Sequence, residues 1–284
     1  MTEQEVKAVP PTFKAARKAI VHAFGSQNVF SEYLVLKGGT LMHLAYASGR
    51  YTTDIDYSCT WREAPSKFES ELLPKINEQL MLSVNAVGVA GLVVRLQKVE
   101  RKPKPAGFDE KQFPALKLKF AYALRGSPDH IHLERGQCSQ TIEVDISFRE
   151  NVCSGLPLRI ESIDASVPAY SPQEVFAEKI RALLQQQMAG RGFIKARRQD
   201  IYDLNYLIEH SLVTDSNRED ISSMLYQKCE SKGVEIDRYK FSDTDFKQLC
   251  TRGWESMQLE LSVLPEFDDC YERVKLYYET LFFE

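Results

Sequence analysis

The sequence lacks the features that mark a membrane protein, a disulfide scaffold or a zinc protein. Among its 284 residues, no apolar run approaches the roughly 20 that a membrane-spanning helix needs. The six cysteines are scattered without a Cys-x-x-Cys pair, so neither zinc-ligand spacing nor a disulfide framework is indicated. The formal net charge of −4 excludes binding of nucleic acid through overall positive charge. These absences predict a cytoplasmic protein with reduced thiols and no membrane contact.

What is present predicts a two-lobed globular protein of the α+β class. Hydrophobic residues make up 43% and charged residues 27% of the chain, which is enough for a sizeable core. The patterns alternate between helix and strand as far as Pro168, and they are almost wholly helical after Pro172. We therefore expect an α/β lobe over residues 1–168 and a helical lobe over residues 169–284.

Apolar periodicity predicts the individual elements. Helices are expected over residues 13–24, 40–47, 66–81, 172–188, 195–210, 218–232, 244–261 and 267–283. Strands are expected over residues 33–36, 52–60, 92–99, 113–124 and 141–148, with a loop over residues 126–136. Ser171, Pro172 and Glu174 have the spacing of a helix start with a capping box.

A paired glycine followed by a helix-like segment is the first candidate for a ligand-binding site. Gly38 and Gly39 follow an apolar run, and Thr40 begins the helical pattern. Glycines allow a tight turn and let a ligand approach the backbone, and free N–H groups at a helix start favour phosphate. Thr40 is therefore expected either to contact phosphate or to cap the helix.

Carboxylates on two predicted strands are the second candidate. Asp54 and Asp56 have strand spacing, so both side chains are expected on one side. Asp145 and Glu143 alternate with apolar residues in a later strand. Oxygen ligands of this kind suit Mg²⁺, and three carboxylates from two strands could bind the metal ions of a nucleotidyl-transfer site. The alternative is that Glu143 and Asp145 lie on a solvated sheet face.

Several motifs together resemble one family of nucleotidyltransferases. The sequence Lys-Gly-Gly-Thr at 37–40, followed by Asp-Ile-Asp at 54–56, resembles the first motif of polymerase-β-like enzymes, in the form seen in AbiEii/AbiGii toxins. The segments at 174–183 and 197–204 are similar to that family's helical lysine motif and terminal Arg-x-Lys-Asp-x-x-Asp-Leu motif. The similarity covers about residues 30–210 in matching order. Gln199 departs from the pattern, which often has lysine there, although Arg197 and Arg198 could supply the missing charge.

The resemblance implies a polymerase-β-like nucleotidyltransferase lobe with a mixed β-sheet, and a helical lobe that completes the active-site cleft. It implies the toxin of a bacterial toxin–antitoxin or phage-abortive system, which a cognate antitoxin neutralises. Such an enzyme would use Mg²⁺ to add nucleotides from an NTP to an RNA, such as a tRNA 3′ end. The residues implied are catalytic Asp54, Asp56, Asp145, Lys179 and Asp200; metal-binding Asp54, Asp56 and Asp145; and nucleotide-binding Lys37, Gly38, Gly39, Thr40, Arg197 and Asp203.

The helical residues also have ordinary interpretations. Lys179 is a candidate for binding the β- and γ-phosphates, but a lysine at such a position is often a surface residue with a buried stem. Asp200 lies three residues after Arg197 and three before Asp203, which is the spacing of a surface ladder of ion pairs. The family implies that Asp200 helps to position Lys179 or the nucleotide. For Asp203, a role in the active-site cleft and a role in helix packing both stay open.

A locally basic stretch is the candidate for RNA contact. Residues 95–135 contain ten Lys and Arg against five Asp and Glu, a net of +5 in an acidic chain. Lys117 and Lys119 alternate on one strand, and Lys102 and Lys104 lie in a loop that suits a phosphodiester backbone. An ordinary solvated face is the alternative.

Two other functions fit the same motifs. A nucleotidyltransferase that modifies a protein or small-molecule hydroxyl would keep the site but would need no RNA-binding patch. A non-catalytic regulator would bind NTP without turnover.

Overall fold

The protein forms two compact units. The computed structural model describes residues 9–26, 28–103, 106–186 and 197–281. Among the described residues, those from 9 to 47 and from 51 to 169 make the sheet unit, and Ser48–Arg50 with those from Tyr170 onward make the helical unit. Sequence patterns placed residues 48–50 in the first lobe. The structure groups them with the helices because Arg50 bonds to a carboxylate of that unit.

The sheet unit is built around a five-stranded mixed sheet in the order β1-β2-β5-β4-β3. Strands β2 and β5 are parallel, and the other neighbours are antiparallel. The predicted α+β class with a mixed sheet is thus confirmed. The strands are β1 Leu34–Lys37, β2 Ile55–Cys59, β3 Leu92–Lys102, β4 Ala115–Leu124 and β5 Thr141–Phe148, with a separate hairpin of β6 Pro157–Ile160 and β7 Ala165–Pro168. The helices are α1 Pro11–Gly25, α2 Gly38–Leu44, α3 Pro65–Glu71, α4 Ile76–Ala86 and α5 Pro128–Glu134.

One face of the sheet is buried and the other is polar. In β5, buried apolar residues alternate with half-buried polar ones along the whole strand, as a strand covered on one side requires. Phe24 of α1 packs on the buried face, with ring centroids 5.4 Å from Tyr57 and 5.8 Å from Phe120. The aspartates of β2 and β5 consequently lie on the polar face.

Several features of the sheet unit differ from the sequence predictions. Strand β3 runs three residues past its predicted end, so Lys102 ends this strand and does not lie in the predicted loop. The helix predicted over residues 66–81 is interrupted by a 3-10 turn at Leu73–Lys75, because Pro74 cannot donate the backbone hydrogen bond of a continuous helix. The loop predicted over residues 126–136 contains α5, whose first residue is Pro128 and whose N-cap is Ser127. The hairpin of β6 and β7 was not predicted.

The helical unit contains α6 Pro172–Gln185, α7 Arg198–Glu209, α8 Arg218–Lys232, α9 Thr244–Thr251 and α10 Phe267–Thr280. The hydroxyl of Ser171 accepts a hydrogen bond from the N–H of Glu174, so the predicted helix start is confirmed. The helix predicted over residues 244–261 stops at Thr251. Gly253 has a φ of +73° and is followed by a 3-10 helix, Trp254–Leu259. The predicted helix ends at residues 187–188, 195–196 and 282–283 lie outside the described residues.

No helix within the described ranges is both long and apolar enough to span a bilayer.

Candidate active site

Two strand carboxylates lie side by side on the polar face of the sheet. Asp56 of β2 is directly opposite Asp145 of β5 in the parallel register. Opposed residues point to the same side, and neighbouring strands are about 4.8 Å apart. On the outer neighbours, Lys37 lies opposite Asp56 and Lys117 lies opposite Asp145. The sheet therefore presents two adjacent acidic side chains with a lysine on either side.

Gly38 allows the Asp56 carboxylate to lie against the start of α2. Its φ is +73°, and a Cβ built on it would lie only 2.4 Å from Oδ2 of Asp56. Both the backbone conformation and the close approach require glycine. Gly39 follows inside α2. The first glycine of the predicted motif is thus required by the neighbouring carboxylate.

Replacing Gly38 by alanine is expected to displace the Asp56 carboxylate and to cost about 1–3 kcal/mol of stability. Gly88→Ala is the matched control, because Gly88 has a φ of +71° with no atom within 4 Å of a Cβ. The control should cost about 1 kcal/mol from the backbone alone. Urea unfolding and nucleotide transfer would be measured on both variants. If the two variants lost the same stability and Gly38→Ala kept its transfer activity, the contact with Asp56 would not be important.

Asp54 lies outside the strand that carries Asp56. Strand β2 begins at Ile55, so Asp54 belongs to the preceding loop and is exposed, which corrects the expectation of simple strand spacing. Thr40 is fully buried, and its Oγ1 donates to the backbone oxygen of Asp54 at 2.6 Å. The helix N-cap is Lys37. The Thr40 side chain thus holds the Asp54 loop and does not cap the helix, and its contact with phosphate stays a prediction.

The electrostatics around Asp145 favour a bound cation. Burial raises the pKa of Asp145, and the nearby carboxylates of Asp54 and Glu143 raise it further, against the opposing effect of Lys117. Lys117 donates to Glu143, which lowers the pKa of Glu143 and raises that of Lys117. A cation beside Asp145 would relieve this excess of negative charge.

Lys37 is engaged by another carboxylate. Its ammonium group donates to Glu150, just after β5, and Ser58 Oγ donates to the same Oε2 atom at 2.7 Å. The predicted contact of Lys37 with the nucleotide would have to compete with this ion pair.

The donor set of Asp54, Asp56 and Asp145 fits Mg²⁺. All three supply carboxylate oxygen, the donor that this hard cation prefers. In the part of the chain that the structure describes, no three His, Cys, Asp or Glu side chains converge closely enough to hold a metal ion alone. Mg²⁺ does not need such a cage, because it is usually bound by one or two carboxylates together with substrate phosphates. The carboxylates therefore suit a Mg²⁺ ion that binds with a nucleotide.

In the helical unit, Lys179 lies at the centre of a buried charge cluster. Its Nζ is 2.9 Å from Oδ1 of Asp200 and 2.7 Å from Oδ2 of Asp203. Arg50 binds Asp203 with two hydrogen bonds, Nε to Oδ1 at 3.0 Å and Nη2 to Oδ2 at 2.8 Å. Arg197 Nη1 donates to Oδ2 of Asp200 at 2.9 Å. The ladder interpretation of the aspartates is too simple, because Asp203 is fully buried between two cations.

The cluster fixes the ionisation of its members. Burial alone would raise the pKa of Asp200, but Lys179 and Arg197 bring it down to about 2. Burial likewise opposes the charge of Asp203, yet Arg50 and Lys179 hold its pKa below the ordinary value. Burial would lower the pKa of Lys179, and the two aspartates hold it above its usual range. Lys179 therefore stays cationic at neutral pH despite its burial.

The other charges of helix α6 serve helix packing. Glu174 is fully buried and lies 2.8 Å from Nζ of Lys228 on α8, which also sits 4.5 Å from the centre of the Tyr170 ring. Glu178 contacts both Lys228 and Arg181. Helix α6 thus turns one charged side toward α8, whereas Lys179 reaches the aspartates of α7.

The strand carboxylates and the helical lysine can each be compared with the motifs of known proteins. The sequence model of one family, described as "Nucleotidyl transferase AbiEii toxin, Type IV TA system", matches residues 22–273. This match includes the carboxylates of the sheet and the cluster around Lys179. The chain belongs to the AbiEii toxin family. It is a nucleotidyltransferase, and the family's toxin–antitoxin system implies a nucleotide substrate and an antitoxin partner. A comparison with curated proteins gives no match.

Solved structures share the fold of this AbiEii-family chain. JHP933 from Helicobacter pylori has a TM-score of 0.53 at 14% identity, over 95% of this chain and 90% of that one. MenT4, a nucleotidyltransferase toxin from Mycobacterium tuberculosis, has a TM-score of 0.53 at 16% identity, over 95% of this chain and 82% of that one. At these identities the likeness concerns the fold alone.

The departure from the AbiEii pattern at Gln199 has a structural counterpart. Gln199 Nε2 donates to the carboxylate of Glu260 at 2.9 Å, and Arg50 Nη1 lies 3.5 Å from the same group. The cations that pair with Asp200 are Lys179 and Arg197. Arg50 and Glu260 were missed in the sequence. Arg50 lies just before the Asp-Ile-Asp motif, which was the available signal, and Glu260 lies in a stretch without a motif.

The predicted RNA-binding lysines of this AbiEii-family chain are paired with glutamates. Lys117 and Lys119 lie 2.5 and 3.0 Å from the carboxylate of Glu143. Lys102 lies 3.9 Å from Glu100, which Lys98 also contacts at 2.7 Å. The local charge is consequently less positive than the count of lysines indicates. Lys104 lies outside the described residues.

Proposed function

We propose that this AbiEii-family toxin transfers a nucleotide from an NTP to an RNA hydroxyl with Mg²⁺, and that a tRNA 3′ end is the first acceptor to test. The observation that carries the proposal is the pairing of Asp56 with Asp145 beside Gly38. Asp56, Asp145 and the exposed Asp54 would hold the metal. When bound, Mg²⁺ would neutralise charge on the triphosphate and favour the ionised form of the attacking hydroxyl.

The residues of the sheet unit have distinct parts in this proposal. The triphosphate would lie at the start of α2 beside Gly38 and Gly39, and Gly38 also leaves room for the Asp56 carboxylate. A carboxylate oxygen of Asp145 receives the proton of the acceptor hydroxyl, which its raised pKa favours. The hydroxyl oxygen then forms the bond to the α-phosphorus, and pyrophosphate leaves with the electrons of the broken bond. Lys117, opposite Asp145, keeps Glu143 engaged.

For the helical unit, the family resemblance supports a phosphate-contacting role for Lys179 and Arg197. Asp200 and Asp203 would keep the Lys179 ammonium protonated and in one position, as their distances of 2.9 and 2.7 Å suggest. A positive charge that is already ordered binds phosphate at a smaller entropic cost.

The decisive experiment supplies the protein with Mg²⁺, each labelled NTP in turn, total RNA and a protein extract. Label on RNA that is absent with Asp56→Ala supports the proposal. Label only on protein or on a small molecule would support the alternative acceptor. Nucleotide binding without transfer to any acceptor would overturn the proposal and leave a non-catalytic regulator.

A protein or small-molecule hydroxyl is the second candidate acceptor. One observation favours it: Glu143 pairs with Lys117 and Lys119, and Glu100 pairs with Lys102, so the positive charge of the predicted RNA patch is partly neutralised. A small acceptor would need no track for a phosphodiester backbone.

Replacing both Lys102 and Lys119 by glutamine is expected to weaken transfer to RNA by about tenfold and to lower the salt slope of binding by up to about 2. Lys117 is left in place because it faces Asp145 and holds Glu143. RNA affinity and transfer would be measured from 50 to 300 mM salt, a range wide enough to define the slope (roughly one per phosphate contact).

The matched control removes two lysines from exposed helical positions of the same unit, Lys14→Gln with Lys75→Gln. The net charge changes equally, so a general electrostatic effect would appear in both proteins. If the two double variants bind RNA alike, the patch has no specific role.

A further inference from the structure

The loop that carries Asp54 is fixed by two buried side chains. Arg17 of α1 donates from Nη1 to the backbone oxygen of Thr52 at 2.9 Å. Thr40 of α2 donates to the backbone oxygen of Asp54 at 2.6 Å. Both donors are almost completely buried, with exposed fractions of 1% and 0%. The short segment between Tyr51 and strand β2 is thus held from the interior at alternate residues.

Arg17 is an unusual residue in this position. Among the residues that the structure describes, no carboxylate pairs with its guanidinium group. Its Nε is buried without a hydrogen-bond partner, and its Cζ lies 5.5 Å from the Tyr51 ring centre and 6.0 Å from that of Phe13. Burial lowers the pKa of Arg17. A buried charge with so little compensation opposes folding, so stability alone does not account for it.

The hydrogen bond of Arg17 reaches a backbone oxygen close to Asp54 in the chain. Thr52 is two residues before Asp54, and Tyr51, whose ring covers Arg17, begins the same loop. The Phe13 and Tyr51 rings also contact each other, with centroids 5.8 Å apart. The guanidinium group therefore links helix α1 to the loop through one carbonyl and one ring.

We propose that Arg17 is a positioning residue for the metal-ligating Asp54. It holds the Thr52 carbonyl, while Thr40 holds the Asp54 carbonyl, so that the exposed carboxylate is presented in one orientation. The inference rests on the proposed function, in which Asp54 binds Mg²⁺ with the nucleotide. Residues that orient a metal ligand affect metal affinity or activity by about 10- to 100-fold.

The test compares Arg17→Met with Arg17→Lys and with Lys14→Met. Lys14 is an exposed cation one turn earlier on the same helix and serves as the charge control. Arg17→Met is expected to weaken binding of Mn²⁺ plus a non-hydrolysable NTP by about tenfold or more. Its KM for Mg²⁺ should rise by a similar factor, and its transfer rate should be partly recovered at high Mg²⁺. Arg17→Lys, which retains one donor, should restore part of the affinity, and Lys14→Met should match the wild type.

Amide hydrogen exchange of residues 51–56 in metal-free protein gives a readout that does not depend on activity. Arg17→Met should exchange faster there than the wild type, while the rest of the sheet unit exchanges as before. If Arg17→Met does not fold, Thr40→Val tests the second contact by the same measurements. Unchanged exchange and unchanged Mn²⁺ affinity in a folded variant would overturn the inference. Failure of the proposed function would appear differently, as absence of transfer in the wild type.

Discussion

Replacing Asp145 by asparagine is expected to lower nucleotide transfer by about a thousandfold or more while leaving the protein at least as stable as before. The carboxylate is opposite Asp56, and burial together with Asp54 and Glu143 raises its pKa. When folding raises the pKa of an acid, the folded protein becomes less stable as pH rises through that pKa. The ionised Asp145 therefore destabilises the fold at neutral pH. The neutral amide removes this cost together with the metal ligand. Thermal unfolding and labelled-NTP transfer at pH 7 check the two effects.

Two further variants distinguish a joint role of the carboxylates from a general loss of charge. Asp56→Asn should lose transfer to the same extent, and the double variant should be no worse than either single one, because metal ligands act as a unit. Asp129→Asn removes the same charge from helix α5, where the carboxylate accepts from Gln140 at 2.8 Å, and it should keep full activity. A shared metal site would be contradicted if the losses of activity in the two single variants added up in the double variant, or if Asp145→Asn remained active.

The sequence predicts which strands carry the acids but not how they pair. Strand β5 begins and ends at the predicted residues because alternation of apolar and polar residues over 141–148 is a local signal. The register that sets Asp56 opposite Asp145 depends on contacts between distant segments, and a slip of one residue would reverse every face. The requirement for Gly38 arises in the same way from the pairing of β1 with β2, which sets Lys37 opposite Asp56 and the Asp56 carboxylate against Gly38.

Residues that act through distant partners were the ones missed. Arg17, Arg50 and Glu260 have no motif, and each becomes informative only through an atom far away in the chain. Breaks in helices were missed for a different reason. Pro74 and Gly253 interrupt segments whose apolar spacing continues across them, so periodicity outweighed two local signals that favour a break.

The structure combines features of the two interpretations of Lys179. The sequence offered a surface lysine with a buried stem or a phosphate ligand. The side chain is largely buried, and two aspartates hold its ammonium group. Such an arrangement costs desolvation and is weak support for stability. A cation kept charged and ordered in this way is what a phosphate-binding role needs, and that role stays a proposal.

The largest expected effect on stability comes from Arg50→Met, at about 3–5 kcal/mol. The variant leaves the fully buried Asp203 with Lys179 as its remaining cation, after loss of two hydrogen bonds of 3.0 and 2.8 Å. Arg50→Lys keeps the charge but loses the bidentate hydrogen bonds to Asp203, so an intermediate loss of stability is expected. Arg218→Met is the control in the same unit, since its pair with the exposed Asp215 is open to solvent and should contribute at most about 1 kcal/mol.

Fluorescence can report the helical unit by itself, because the chain has two tryptophans, Trp61 in the sheet unit and Trp254 in the helical unit. In a Trp61→Phe background, urea unfolding would be followed through the buried Trp254. A loss in Arg50→Met no larger than in the Arg218→Met control would contradict the role of Arg50 in holding Asp203.

Acid unfolding gives an independent check on the same cluster. Asp200, with a pKa of about 2, and Asp203, with a lowered pKa, contribute stability that is present above their ordinary pKa near 4 and is lost as pH falls toward 2. Without Arg50, the pKa of Asp203 should move upward, because a cation that lowers it is gone. The acid midpoint of Arg50→Met should therefore lie at higher pH than that of the wild type. A midpoint that does not move would mean that Lys179 alone keeps Asp203 ionised.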